Sequence, residues 1–140
     1  NIQAAVAYAQ YENIDNVIKK KQWLGNIYQN LLKDIPCRLS VDKTEYAKNH
    51  YWVFGLVIND DVKLNAKEAM QKLKEYGIET RPFFYPLHRQ PVFKKMNILD
   101  KIKRPVSDNL YQKGFYIPMG LNLNEEKLEY ISEKIHLLFR

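Results

Sequence analysis

His88, Arg81 and Tyr85 fall within one stretch, Gly77 to Lys95, which reads G-I-E-T-R-P-F-F-Y-P-L-H-R-Q-P-V-F-K-K. Together they offer an imidazole, a guanidinium fork and a phenol. An imidazole can hydrogen-bond a substrate or move a proton near neutral pH. An arginine fork can hold a carboxylate or phosphate through two parallel hydrogen bonds. Ordinary loops draw on Gly, Ser, Asn and Asp, whereas this one sets large rings on an aperiodic backbone that Pro82, Pro86 and Pro91 hold extended. Such rings are expected to be buried against something. Beside a histidine and an arginine they could wall a small-molecule pocket or simply make a packed loop.

Each of these residues also has an ordinary structural explanation. A lone histidine more often serves its own fold than a substrate, and Arg81 could equally pair with Glu79 or Glu75. Arg89, Lys94 and Lys95 could attract a diphosphate, although exposed cations usually only solubilise. No self-sufficient catalytic motif accompanies them: G-x-S-x-G, the P-loop, H-E-x-x-H and G-x-G-x-x-G are all missing. With five glycines in the chain, a phosphate-cradling loop is hard to build. Cys37 is the only cysteine, so no intrachain disulfide can form, and three scattered histidines argue against a metal site. A reducing, cytoplasmic setting is expected.

A chain of 140 residues is long enough for one domain with one core, and 46% hydrophobic with 27% charged residues marks a globular protein. No apolar run approaches the roughly 18 residues of a membrane span, and no signal-peptide pattern opens the sequence, so a soluble protein is expected. The net charge of +6 favours an anionic partner: nucleic acid, a membrane surface or a phosphorylated small molecule. Lys19, Lys20 and Lys21 form a run of cations inside a helical pattern and read as a solvated face.

The elements that must position the stretch can be laid out in order. Ile2, Ala5, Val6 and Ala9 share one helical face over Ile2 to Tyr11, with no capping sequence in front, as though the chain had been cut from a longer one. Ile14, Val17, Ile18, Leu24, Ile27, Tyr28, Leu31 and Leu32 predict a long second helix that Pro36 blocks, with Trp23 as a packing residue. Tyr51 to Ile58, Y-W-V-F-G-L-V-I, predicts a strand covered on both faces. Asn65 and Glu68 form a capping box for a helix whose buried side carries Ala66, Ala69, Met70, Leu73 and Tyr76, and Gly77 ends it with Ile78 packing back. A second strand over Ile78 to Phe83 completes a β-α-β unit. A third, Phe115 to Met119, could lie between the two after a short helix around Ser107 to Lys113. The last helix is capped by Asn124, carries Glu125 and Glu126 in its first turn, and buries Leu128, Ile131, Ile135 and Leu138. The fold class is therefore α+β: two N-terminal helices over residues 1–35, then a small domain over 36–140 with a small, mostly antiparallel sheet packed with helices.

N-I-Q-A-A-V-A-Y-A-Q, Y-W-V-F-G-L-V-I, G-I-E-T-R-P-F-F-Y-P-L-H and Y-I-P-M-G-L-N-L-N-E-E occur in that order over nearly the whole chain. In this wording the chain resembles the C-terminal part of DegT/DnrJ/StrS-type nucleotide-sugar aminotransferases, and among them the GDP-perosamine synthases. The resemblance implies the small domain of a fold-type-I enzyme that carries pyridoxal 5'-phosphate (PLP) on a lysine of a large N-terminal domain. Such an enzyme moves an amino group from glutamate to a GDP-linked 4-keto-6-deoxy sugar and works as a homodimer. It further implies that no catalytic or cofactor-binding residue lies in this segment, and that alone the segment is inactive. His88, Arg81 and Tyr85 become substrate-binding residues, with the Y-P-L-H turn lining the sugar side of the cleft and Arg81 at its entrance. Neither nucleic acid nor a membrane is expected as a partner.

Two other readings compete with this one. A sugar dehydratase on the same scaffold would differ at a lysine upstream of these residues. A basic α+β module could bind nucleic acid through Phe83, Phe84 and Tyr85, although no RNP-like motif is present and the alternation with prolines suits burial.

Overall fold

The computed structural model describes residues 1–99 and 102–140. Among the described residues six helices and a four-stranded sheet follow in the order α1 (Ile2–Glu12), α2 (Ile14–Leu31), β1 (Cys37–Leu39), β2 (Phe54–Ile58), α3 (Ala66–Glu75), β3 (Arg81–Pro82), α4 (Pro91–Lys95), α5 (Pro105–Lys113), β4 (Gly114–Ile117) and α6 (Glu125–Leu137). A single 3-10 turn, Leu87–Arg89, precedes α4. The fold is α+β with a small antiparallel sheet, as the sequence predicts.

Spatial strand order is β1-β2-β4-β3, and β4 runs antiparallel to both β2 and β3. Consequently β2 and β3 are parallel, joined through α3, with β4 inserted between them as the hydrophobic pattern suggests. All five residues of β2 are buried, because the strand is central and both its faces are covered. Leu24, Tyr28 and Leu32 of the second helical stretch, Leu73 of α3, and Leu128 and Ile135 of α6 join Phe54, Leu56, Ile58 and Phe115 in one core, all with no exposed surface. Truncating any of these leucines to alanine costs about 2–5 kcal/mol, the loss of transfer energy plus the cavity left behind.

Local chemistry explains where the elements stop. Asn65 and Glu68 form a full capping box. Gly77 takes φ 74°, and the Ile78 amide donates to the Leu73 carbonyl at 3.0 Å while the Gly77 amide donates to Lys74 at 2.9 Å, the paired bonds of a Schellman end. Among the described residues no helix is long and apolar enough to cross a membrane.

Several expectations are corrected. Asn1 does cap α1, its side chain accepting from the Gln3 and Ala4 amides. No residue of α1 is buried, and Ile2, Val6, Tyr8 and Tyr11 face solvent. Tyr76, expected on the buried side of α3, is 42% exposed, its carbonyl accepting from the Tyr130 hydroxyl at 3.0 Å. Strand β2 begins at Phe54 and not at Tyr51, because Tyr51 adopts φ 50° and turns the chain before the ladder starts. Strand β1 has no counterpart in the sequence reading: three residues after Pro36 are too short a run for periodicity to register. Only two residues of Ile78 to Phe83 pair as a strand.

Candidate functional site

The sheet register sorts residues onto two faces, since cross-strand partners point the same way. Phe54, Leu56, Phe115 and Ile117 face the core. Arg81, Gly55, Tyr116, Val57 and Gly114 share the other face through the pairs Arg81 with Tyr116, Gly55 with Tyr116, and Val57 with Gly114. Two glycines at diagonal positions on neighbouring strands leave a bare patch on that face, and the Phe83 ring lies in it. A Cβ at Gly55 would stand 3.0 Å from Phe83 Cζ, and one at Gly114 would stand 2.4 Å from Phe83 Cδ2. The Phe83 ring meets Tyr116 at 4.6 Å between centroids.

Around this floor opens a cleft of about 480 Å³ whose walls are Trp52, Phe84, Tyr85, Tyr111 and Tyr116, with Arg81 as its cation. A volume of this size suits a small ligand, and one charged group among rings is the usual composition of a site that binds by shape and orients by polar contact. A second cleft, of about 310 Å³, adjoins it and shares Trp52, Val53, Arg81 and Tyr116. Arg81 is exposed and pairs with neither Glu79 nor Glu75; among the described residues it makes no ion pair. The fork is free.

Of the three residues singled out in the sequence, Arg81 and Tyr85 line the cleft and His88 stands behind it. His88 Nε2 lies 3.0 Å from Asp108 Oδ1, with the histidine side chain 11% exposed, and Arg89 Nε approaches the same oxygen at 2.7 Å. Neither N–H is aligned for a hydrogen bond, so Asp108 acts on them as a charge. Asp108 sits in the first turn of α5, where the helix dipole favours a carboxylate. One turn further along the same face, Tyr111 meets the Tyr85 ring edge-on at 5.0 Å. Helix α5 therefore holds both His88 and Tyr85 from behind.

The loop is less buried than its composition suggests. Phe84 is 79% and Leu87 68% exposed, and of the stretch Gly77 to Lys95 the buried residues are Ile78 and Pro86. The expected aperiodic backbone contains the 3-10 turn and α4, which Pro91 starts from its first position.

Lys21, taken as part of a solvated face, is engaged: its ammonium donates to the Trp52 carbonyl at 3.2 Å and to the Met119 carbonyl, and burial lowers its pKa. Trp23 is 37% exposed, with the Lys20 ammonium 3.8 Å above its ring. Sequence reasoning missed Trp52, which lines the candidate cleft, and Asp108, which lies against His88. Asp108 is twenty residues from His88 with no motif linking them, and Trp52 hides in what reads as unbroken strand.

Among the described residues no lysine lines the aromatic cleft. Lys21, at the adjoining cleft, donates to two backbone carbonyls, and Lys113 donates to the Val62 and Leu64 carbonyls at 2.6 and 3.1 Å. Among the described residues no three potential metal ligands converge either.

Comparison with known proteins places these features in a lineage. The model of the DegT/DnrJ/EryC1/StrS aminotransferase family matches residues 1–136. A GDP-perosamine synthase of Vibrio cholerae is 29% identical over 140 residues, which is 99% of this chain and 37% of the relative. The Helicobacter pylori aminotransferase PseC, involved in the biosynthesis of pseudoaminic acid, superposes with a TM-score of 0.87 at 16% identity, covering 99% of this chain and 37% of PseC. A GDP-4-keto-6-deoxymannose-3-dehydratase, ColD, solved with bound GDP-perosamine, superposes with a TM-score of 0.77 at 18% identity, over 94% of this chain and 34% of ColD. The chain thus spans little more than a third of the proteins it matches.

Proposed function

This chain belongs to the DegT/DnrJ/EryC1/StrS aminotransferase family, and from that premise we propose that it is the sugar-side portion of a PLP-dependent nucleotide-sugar aminotransferase. In this reading residues 1–35 are connecting helices and 36–140 the small C-terminal domain of a cytoplasmic, homodimeric enzyme. Its substrate is a GDP-linked 4-keto-6-deoxy sugar and its amino donor glutamate. In this reading PLP is held by residues outside these 140. The observation that carries the proposal is the aromatic cleft lined by Arg81 and Tyr85.

Each residue then has a task that follows from its chemistry. Arg81 offers its fork to phosphate oxygens. The Tyr85 hydroxyl and Nδ1 of His88 are hydrogen-bonding groups for sugar hydroxyls. No proton transfer is assigned to His88.

The likeness to ColD keeps one alternative in view, a dehydratase on the same scaffold. Incubating the full-length enzyme with the keto sugar and ¹⁵N-glutamate separates the two. Product that retains ¹⁵N on the sugar carbon supports the aminotransferase; a deoxygenated keto sugar without nitrogen establishes the dehydratase; neither product rejects both.

A further inference from the structure

We propose that Trp52 is a stacking platform for the planar base of a nucleotide, with Arg81 beside it for the phosphate. The proposal rests on the nucleotide-sugar reading and adds the base subsite to it. The indole is 76% exposed, yet the backbone that carries it is clamped on both sides. Tyr51, just before it, holds φ 50°, a left-handed conformation that a ring-bearing residue adopts at a cost and keeps only where its surroundings enforce it.

The enforcement is visible. Tyr51 has no exposed surface, and its ring fills a notch at Gly25, where a Cβ would stand 2.3 Å from Tyr51 Cδ2. That ring stacks on Phe54 at 5.7 Å with the planes 13° apart. Its amide donates to Asn49 Oδ1 at 2.7 Å and its hydroxyl to Asp42 Oδ1 at 3.0 Å. From the other side Lys21 holds the Trp52 carbonyl. Core packing, a glycine notch and a partly buried ammonium thus fix a strained turn whose outcome is an indole that leaves the sheet and stands at the cleft. Starting β2 does not need this turn, since the core-facing ladder begins only at Phe54.

Trp52 and Arg81 line both adjoining clefts, so a ligand in either meets the two together. A flat apolar face next to a free two-pronged cation matches a base joined to phosphate, and the net charge of +6 favours such an anion. A base-free sugar phosphate would use the cation alone.

The test is calorimetric titration of the full-length enzyme, in wild type, Trp52→Phe and Trp52→Ala forms, with GDP, UDP and mannose 1-phosphate as probes. Circular dichroism melts establish that each variant is folded. GDP and UDP are expected to bind saturably and alike, because stacking tolerates any base, and more tightly than mannose 1-phosphate. Trp52→Ala should weaken both nucleotides by roughly 5- to 150-fold, the span of one lost stacking contact, while Trp52→Phe keeps most of the affinity. Absence of saturable binding, GDP affinity unchanged in Trp52→Ala, or mannose 1-phosphate binding as tightly as GDP would each overturn the proposal. Those results leave the aminotransferase reading intact, because that is decided by nitrogen transfer in the full-length enzyme.

Discussion

His88 Nε2 sits 3.0 Å from Asp108 Oδ1, so the histidine that the loop sequence offers to a substrate is held from a helix that begins seventeen residues later. Arg89 shares the same oxygen at 2.7 Å. The carboxylate thus fastens two consecutive loop residues onto α5. It is partly exposed, which limits its worth to that of a screened ion pair. Asp108→Ala should lower the stability of this chain by about 0.5–1 kcal/mol, with Asp108→Asn between it and wild type. Urea unfolding measures the difference, and an unchanged midpoint would show that the clamp contributes nothing.

A ring clamped through Nε2 has Nδ1 to offer. In the full-length enzyme His88→Ala should reduce kcat/KM for the nucleotide sugar by about 5- to 150-fold, the loss of one hydrogen bond of roughly 1–3 kcal/mol. The glutamate half-reaction and PLP binding should be nearly unchanged. Following the two half-reactions separately decides the role: equal damage to both, or to neither, returns His88 to a structural residue.

Phe83 can lie on the sheet only because Gly114 is bare. A methyl there would stand 2.4 Å from Phe83 Cδ2 and 2.5 Å from the Leu110 carbonyl oxygen, and the second of these belongs to backbone that cannot swing away. Gly114→Ala should cost about 1–3 kcal/mol, and removing the ring with Phe83→Ala in the same chain should fail to restore the loss. Thermal melts of the single and double variants provide the comparison. By contrast, Gly77 has open space around it but φ 74°, so Gly77→Ala should cost about 1 kcal/mol through backbone strain alone.

Burial pushes the Cys37 thiol up to about 12 from 9.0. The unfolded chain therefore releases this proton first, binds fewer protons than the folded one above pH 9, and stability falls as pH rises from about 9 toward 12. Its contribution is complete below pH 9 and changes by at most about 1.4 kcal/mol per pH unit. Tyr28 and Tyr51, whose phenols are also raised chiefly by burial, add to the same slope above pH 10. Denaturant unfolding at pH 8, 9 and 10 should show Cys37→Ala with a flatter decline than wild type between 9 and 10; identical slopes would contradict the assignment.

Much of this protein follows from short-range information. The Asn65 and Glu68 box, the Gly77 stop, the central strand ending at Ile58 and the apolar faces of α2, α3 and α6 are local patterns, each encoded within a few turns of chain, and all can be read without coordinates. Order along the chain also identified β4 as the strand between β2 and β3. That Arg81 and Tyr85 sit in a distinctive stretch was legible because proline stiffness and ring density mark the loop itself, and both line the candidate cleft. What tertiary structure alone decided involves contacts between distant positions. Periodicity carries no record of Asp108 reaching back to His88, of Gly114 making room for Phe83, or of Lys21 holding the Trp52 carbonyl. Nor does it reveal that Gly25 gives the Tyr51 ring a notch, which allows a strained φ to persist and turns Trp52 out of what reads as strand. Each depends on two surfaces meeting at van der Waals distance, a condition set by the packing of the whole core and not by the type or spacing of neighbouring residues.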